Sequence, residues 1–357
     1  MFNKNTIRTI AALALGAGVL GIADAFLGPF AVRIMNLSAI YIILALSLNL
    51  LNGFTGLFSL GHAGFMAVGA YISALLTMSP AQKTMNFFLT PIVPWLKDIQ
   101  IPFAFALIAA GLGAALVGLL IGAPALRLRD DYLAIATLGF AEIIRVIITN
   151  AQPLTNGAQG LKAIPKYSTT WVVWGCAALA TVFLVFLLRS SYGRTIKAVR
   201  DDEIAAEAMG INVFRVKVTS FVISSFWAGV GGALLGHMIT TIDPKMFTLM
   251  LTFNILLIVV LGGNGSITGS ILGAIIVTVL MEALRFLDMP MNFLFIKTDG
   301  LPGLRMVIFS LLLMIVVLYR QRGLMGTKEF SWDMLRLRAS ISGMPGRSRN
   351  GDGKEAR

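Results

Sequence analysis

Long apolar runs recur down this chain, and most are long enough to cross a bilayer. The hydrocarbon core takes about 20 apolar residues as a helix. Only helices and closed barrels can satisfy their own backbone polar groups inside it. Ten such runs fall near residues 10–32, 36–52, 64–79, 102–123, 132–149, 171–188, 216–237, 247–262, 267–287 and 303–319. Two of them, 64–79 and 247–262, are short for a full crossing. Of the 357 residues 57% are hydrophobic and 13% charged, against about 25% charged in a soluble domain. So little charge cannot cover a globular surface, so lipid is the solvent for most of the chain. The expected fold is all-α, a polytopic transmembrane helical bundle of about ten spans.

The net charge of +12 does not read as a nucleic-acid footprint, which would gather on one face or helix. The basic residues gather instead at a few loops and in the C-terminal tail, as the positive-inside rule requires. If the N-terminus is cytoplasmic and the spans alternate, nineteen of the 29 Lys and Arg residues fall on the cytoplasmic side and seven outside. That imbalance predicts an even number of spans with both termini in the cytoplasm. Lys4, Arg8 and the following apolar run, with Ala23-Asp24-Ala25 after it, also fit a cleaved signal peptide. Its removal would leave the other orientations unchanged. Residues 1–322 are expected to form the transmembrane domain. Residues 323–357 are expected to form a basic cytoplasmic tail, largely disordered, since 339–357 are rich in Gly, Ser, Arg and Asn; its basic residues suit anionic lipid. Cys176 is the single cysteine, so no internal disulfide can form.

The loop 189–215 is the most informative cytoplasmic segment. Asp201 can cap a helix with its carboxylate, and Asp202 and Glu203 set negative charge against the positive end of the helix dipole. Ile204, Ala205, Ala206, Ala208 and Met209 supply a small apolar body, and Gly210 stands where a left-handed cap would stop it. A helix over Asp202 to Met209 is too short to be stable alone in water. It must pack either on its own protein or against a cytoplasmic partner.

Within the spans, Asn52 to Tyr71 holds Gly53, Gly56, Gly61, Gly64 and Gly69. Such spacing serves either close helix packing or a broken helix along a substrate path. Asn52-Gly53-Phe54-Thr55-Gly56 and Asn264-Gly265-Ser266-Ile267-Thr268-Gly269 suggest an internal repeat. Glu142 and Arg145 lie three apart in one span, as do Glu282 and Arg285 in another. A charge at the bilayer centre costs roughly 3 kcal/mol on insertion scales. The Glu142–Arg145 pair is therefore expected to face the protein interior, as a structural ion pair or a polar lining of the path. His62 is expected to be a hydrogen-bonded loop residue, and with His237 far away it makes no metal site. No catalytic residue is expected. The chain lacks G-x-x-x-x-G-K-[ST], H-E-x-x-H and G-x-S-x-G, and no span carries a regular arginine series.

Four stretches carry a family resemblance: 46–76 (LSLNLLNGFTGLFSLGHAGFMAVGAYISALL), 126–150 (LRLRDDYLAIATLGFAEIIRVIITN), 193–224 (GRTIKAVRDDEIAAEAMGINVFRVKVTSFVIS) and 260–274 (VLGGNGSITGSILGA). In order and spacing they resemble the permease subunits of bacterial branched-chain amino acid ABC transporters, the LivM-like class. The resemblance implies a multi-pass protein of the bacterial inner membrane and a subunit of an ATP-driven importer. It implies as partners a second, LivH-like permease, two P-loop ATPase subunits and an extracytoplasmic substrate-binding protein. ATP and magnesium would be bound by the ATPases, with no cofactor on this chain. It also implies a coupling helix seated in an ATPase groove, carried here by Asp202, Glu203, Ala205, Ala206 and Gly210. Glycine does not stand at the spacing from glutamate found in the importer consensus. Urea or short amides remain an alternative cargo. A stand-alone secondary transporter using Glu142 and Arg145 is the alternative of another class.

Overall fold

The computed structural model describes residues 28–128 and 130–285, with Gly21, Phe26 and shorter stretches between 291 and 329. The first apolar run, the candidate cleavage site and most of the tail lie outside the described residues. The remaining apolar runs are helices: α1 (Pro29–Asn49), α2 (His62–Thr77), α5 (Phe103–Ala125), α6 (Asp130–Asn150), α8 (Thr170–Arg189), α11 (Val213–Ile239), α12 (Leu249–Gly262), α13 (Ile267–Ala283) and α14 (Leu304–Tyr319). Short helices α3 (Pro80–Asn86), α4 (Pro94–Lys97), α7 (Gln152–Thr155), α9 (Ser191–Asp201) and α10 (Glu203–Ala208) occupy the connections. Strands β1 (Met291–Phe293) and β2 (Ile296–Thr298) pair antiparallel, and the other regular elements among the described residues are helical. Six of the described helical stretches are long and apolar enough to cross a membrane, while α2 and α13 are shorter apolar helices.

Close approach of small residues sets the packing. Helix α11 runs along α5 and α2. A Cβ on Gly69 would lie 2.2 Å from the Gly229 carbonyl oxygen, and one on Gly232 would lie 2.1 Å from that of Met66. Helices α12 and α13 meet the same way, with a Cβ on Gly262 2.3 Å from the Gly269 oxygen. Without a hydrophobic force between helices in lipid, such backbone contact is the main source of association. The core is centred on α1, where every residue from Ser38 to Leu51 except Tyr41 is buried. Helices α5, α6 and α8 turn large apolar side chains outward, among them Leu112, Leu120, Ile135, Ile147, Leu179 and Phe186.

The connections sort onto two faces. On one, Leu161 bridges Ile242, Asn86 exchanges hydrogen bonds with the backbone of Lys162, and Gln82 Nε2 donates to the Ala163 carbonyl. On the other lie the breaks after α1 and α12, helices α9 and α10, and the turn at Gly323–Gly326. There Leu324 N donates to Leu261 O at 2.8 Å, and Glu329 accepts from Ile267 N and Thr268 N at the start of α13. Lys83, Lys97, Lys162, Lys166 and Lys245 therefore fall on one face, and Arg189, Arg194, Lys197, Arg200 and Arg215 on the other. This is the partition expected from loop charge.

Lys83 is fully buried on the first face. Its ammonium donates to the carbonyls of Leu96 (2.8 Å) and Ile99 (2.5 Å), tying α3 to α4. Burial pushes its pKa below the usual lysine value, with Asp98 opposing the shift.

Candidate functional site

Helix α9 begins directly from α8, with Ser190 capping it through Gly193 N. Its apolar face, Ile196 and Val199, is buried, and Tyr192 donates to the Val216 carbonyl of α11 at 3.2 Å. Helix α10 follows after one residue. Its cap is Asp202 rather than Asp201: the Asp202 carboxylate accepts from Ile204 N (2.9 Å) and Ala205 N (3.0 Å). Asp201 still belongs to α9, and its carboxylate is held by Arg200 at 2.8 Å. At the far end Gly210 has φ 83°, donates to Glu207 O (2.9 Å), and Ile211 N reaches back to Ala206 O (3.1 Å). These two bonds make a Schellman end, which satisfies carbonyls a two-turn helix would otherwise leave open.

The five residues expected to couple divide by environment. Ala206 faces inward, 4% exposed. Glu203 forms an ion pair with the buried Lys217 of α11. Asp202 and Gly210 shape the two ends, and Ala205 faces outward. The outward face is completed by Ile204 and Met209, each 83% exposed. Ile204 and Ala208 stand four apart, as do Ala205 and Met209, so all four share one face. Ile204 and Met209 were read from the sequence only as part of the helix's apolar body, and Lys217 and Arg200 were given no role there. The spacing of the first two was visible, but the pairing of Glu203 with Lys217 depends on how α11 begins.

The breaks behind this loop come together. Helix α1 ends in a wider, π-helical turn, Leu50–Thr55, closed by left-handed Gly56. Asn49 donates to Ser266 O (3.0 Å) and Ser270 Oγ (2.7 Å) and accepts from Gly265 N (2.9 Å). A Cβ on Gly53 would lie 2.3 Å from Gly265 N. The two glycine-rich segments of the suspected repeat are thus packed backbone to backbone.

Two expectations for the polar residues need correction. Glu142 and Arg145 do pair within α6, but their side chains are 55% and 29% exposed. The pair looks out from this chain instead of into its core, because the buried stripe of α6 is the opposite one, Thr137, Ile144 and Ile148. His62 is the first residue of α2 rather than a loop residue, and its buried ring lies 2.8 Å from Ser47 Oγ. It hydrogen-bonds neither Glu142 nor Arg145, so the structure does not bring the three into one polar group. Among the described residues no cluster of three His, Cys, Asp or Glu could hold a metal.

The family model described as "Branched-chain amino acid transport system / permease component" matches residues 30–318. The chain is 37% identical over 288 residues to the high-affinity branched-chain amino acid transport permease LivM of Escherichia coli, covering 71% of this chain and 63% of that one. A probable LivM of Methanocaldococcus jannaschii is 26% identical over 81% of the chain and 91% of its own length. The LivH permease of Escherichia coli is 26% identical over 83% of the chain and 94% of its own length. The chain thus spans under two thirds of the Escherichia coli LivM length. No solved structure matches at a significant level.

Proposed function

The chain belongs to the permease-component family of branched-chain amino acid transport systems, and from that premise we propose that it is the membrane permease subunit of an ATP-driven importer of branched-chain amino acids. The observation that carries the coupling role is α10. Its inner face is fastened to this chain by Ala206 and by the Glu203–Lys217 pair, while Ile204 and Met209 stand out, each 83% exposed. A rigid helix with an apolar outer face, on the basic side of a membrane protein, suits the groove of a partner. We assign that groove to a P-loop ATPase subunit, which would bind and hydrolyse the ATP that this chain has no motif to bind.

The exposed Glu142–Arg145 pair supports a second permease. Charges within a span avoid lipid, so the outer face of α6 is where a LivH-like subunit would sit, with the substrate path between the two chains. This exposure also weighs against a stand-alone carrier, which would need the pair lining a path within its own bundle. The opposite face, with exposed Met85, Phe88 and Trp95, is the side where a substrate-binding protein would dock. Nucleotide closure of the ATPases would press on α10, and the permease helices would then alternate access.

The test is uptake by proteoliposomes holding this chain with the second permease and the ATPases. Labelled leucine should enter only with ATP on the ATPase side and binding protein on the other, and a protonophore should have no effect. Uptake by this chain alone, driven by an ion gradient, would contradict the reading.

A further inference from the structure

The proposed coupling loop touches the membrane helices at more than the ion pair on α11. Arg200, the penultimate residue of α9, stands two residues before Asp202, the cap of α10, and bonds the break after α1 beside the one between α12 and α13. Its Nη1 donates to the Gly53 carbonyl at 3.2 Å. A Cβ on Gly265 would lie 3.4 Å from the same nitrogen, and one on Gly56 would lie 3.1 Å from Arg200 Cγ. Its Nε and Nη2 meanwhile hold the carboxylate of Asp201 at 3.0 and 2.8 Å. One guanidinium thus holds Asp201 at the end of α9 with one edge and the Gly53 carbonyl with the other, with Gly265 packed beside it. The planar fork suits this double attachment, which a lysine ammonium could not copy.

We propose that Arg200 is the positioning residue that carries motion of the α9–α10 loop to the Gly53–Gly265 junction, and through it to α1 and α13 together. The proposal rests on the coupling role given to α10. The junction is built to move as a unit. Asn49 fastens the α1 side to Gly265, Ser266 and Ser270, and the absence of side chains at Gly53 and Gly265 lets the two backbones touch. The π-helical turn beside it is a local departure from the helix ladder, of the kind that marks functional sites. Glu203–Lys217 supplies the parallel attachment to α11, so a push on α10 reaches the core helix α11 by one route and the broken helices by the other.

The experiment uses the full complex in proteoliposomes and reads leucine uptake and ATP hydrolysis in the same sample. In Arg200→Gln the ATPases stay bound and hydrolyse ATP, while uptake per ATP falls about tenfold or more, within the usual range of coupling between sites. Arg200→Lys keeps the charge but loses the fork, and gives an intermediate ratio; it also serves if the glutamine variant fails to assemble. An uptake-to-ATP ratio equal to wild type in whichever of these variants assembles would overturn the proposal. Met209→Asp is the companion measurement. If it leaves the ATPases bound and uptake intact, the coupling role of α10 fails and this proposal with it. If it releases the ATPases while the Arg200 ratio stays at the wild-type value, only the role of Arg200 fails.

Discussion

Gly210 offers a graded test of how α10 is held. Its φ of 83° lies in the left-handed region, yet a Cβ there would meet nothing within 4 Å. Gly210→Ala therefore meets only backbone strain, roughly 1–2 kcal/mol, with both Schellman hydrogen bonds kept. Gly210→Pro is different in kind. Proline fixes φ near about −65° and removes the N–H that donates to Glu207 O at 2.9 Å. That forfeits a bond of about 1 kcal/mol, and the change in φ also breaks the Ile211-to-Ala206 bond that closes the last turn. For a six-residue helix this is the loss of half its length. Every 1.4 kcal/mol is about a tenfold change in population, so the alanine variant should keep measurable uptake, reduced by about thirtyfold at most. The proline variant should lose uptake and the ATPases while still inserting in the membrane. Both are read by transport and co-purification at matched expression. Equal transport by the proline and alanine variants would refute the reasoning, because it would mean that the end of α10 does not need to be formed.

Other outcomes follow from single contacts. Lys83→Met leaves the carbonyls of Leu96 and Ile99 without their donor and should destabilise the cap opposite the coupling loop by ~1–3 kcal/mol in a detergent melt. Because burial lowers the Lys83 pKa, the folded state binds its proton less tightly than the unfolded chain does. Wild-type stability relative to Lys83→Met should therefore rise as pH climbs towards 10.5, the ordinary lysine value; a pH-independent difference would contradict this. Gly229→Leu should prevent folding, since even a Cβ at Gly229 would lie 2.4 Å from the Ala114 Cβ, and the check is yield of monodisperse protein. Glu142→Gln should hardly change the folded yield of the chain expressed alone, because the pair is exposed there, but should reduce the amount of second permease recovered with it.

The spans were legible because membrane helices announce themselves by length and apolarity. Eight predicted runs between 36 and 287 match helices to within a few residues, apart from the start of α1, which reaches back to Pro29. The loop charges also predicted which connections share a face. What escaped depends on side-chain contacts and directions that the string of residues does not fix. The cap of α10 fell one residue later than expected, since two adjacent aspartates offer the same chemistry and only the claim of Arg200 on Asp201 separates them. The direction of Glu142–Arg145 was misjudged because a charged pair in a span was assumed to point into its own chain, and a subunit of a larger assembly can turn it towards a partner. The likeness of Asn52–Gly56 and Asn264–Gly269 was visible as a string of residues. That the two segments touch, joined by Asn49 and gripped by Arg200, was not.

The most direct test of the central claim is to recover the tagged chain from its own host in mild detergent and identify every protein that accompanies it, for wild type and for a variant with Ile204→Asp and Met209→Asp. The account predicts a second permease and P-loop ATPase subunits with the wild type, and retention of the permease but loss of the ATPases with the variant, whose inner seat at Ala206 and Lys217 is untouched. ATPases recovered equally with both would contradict it.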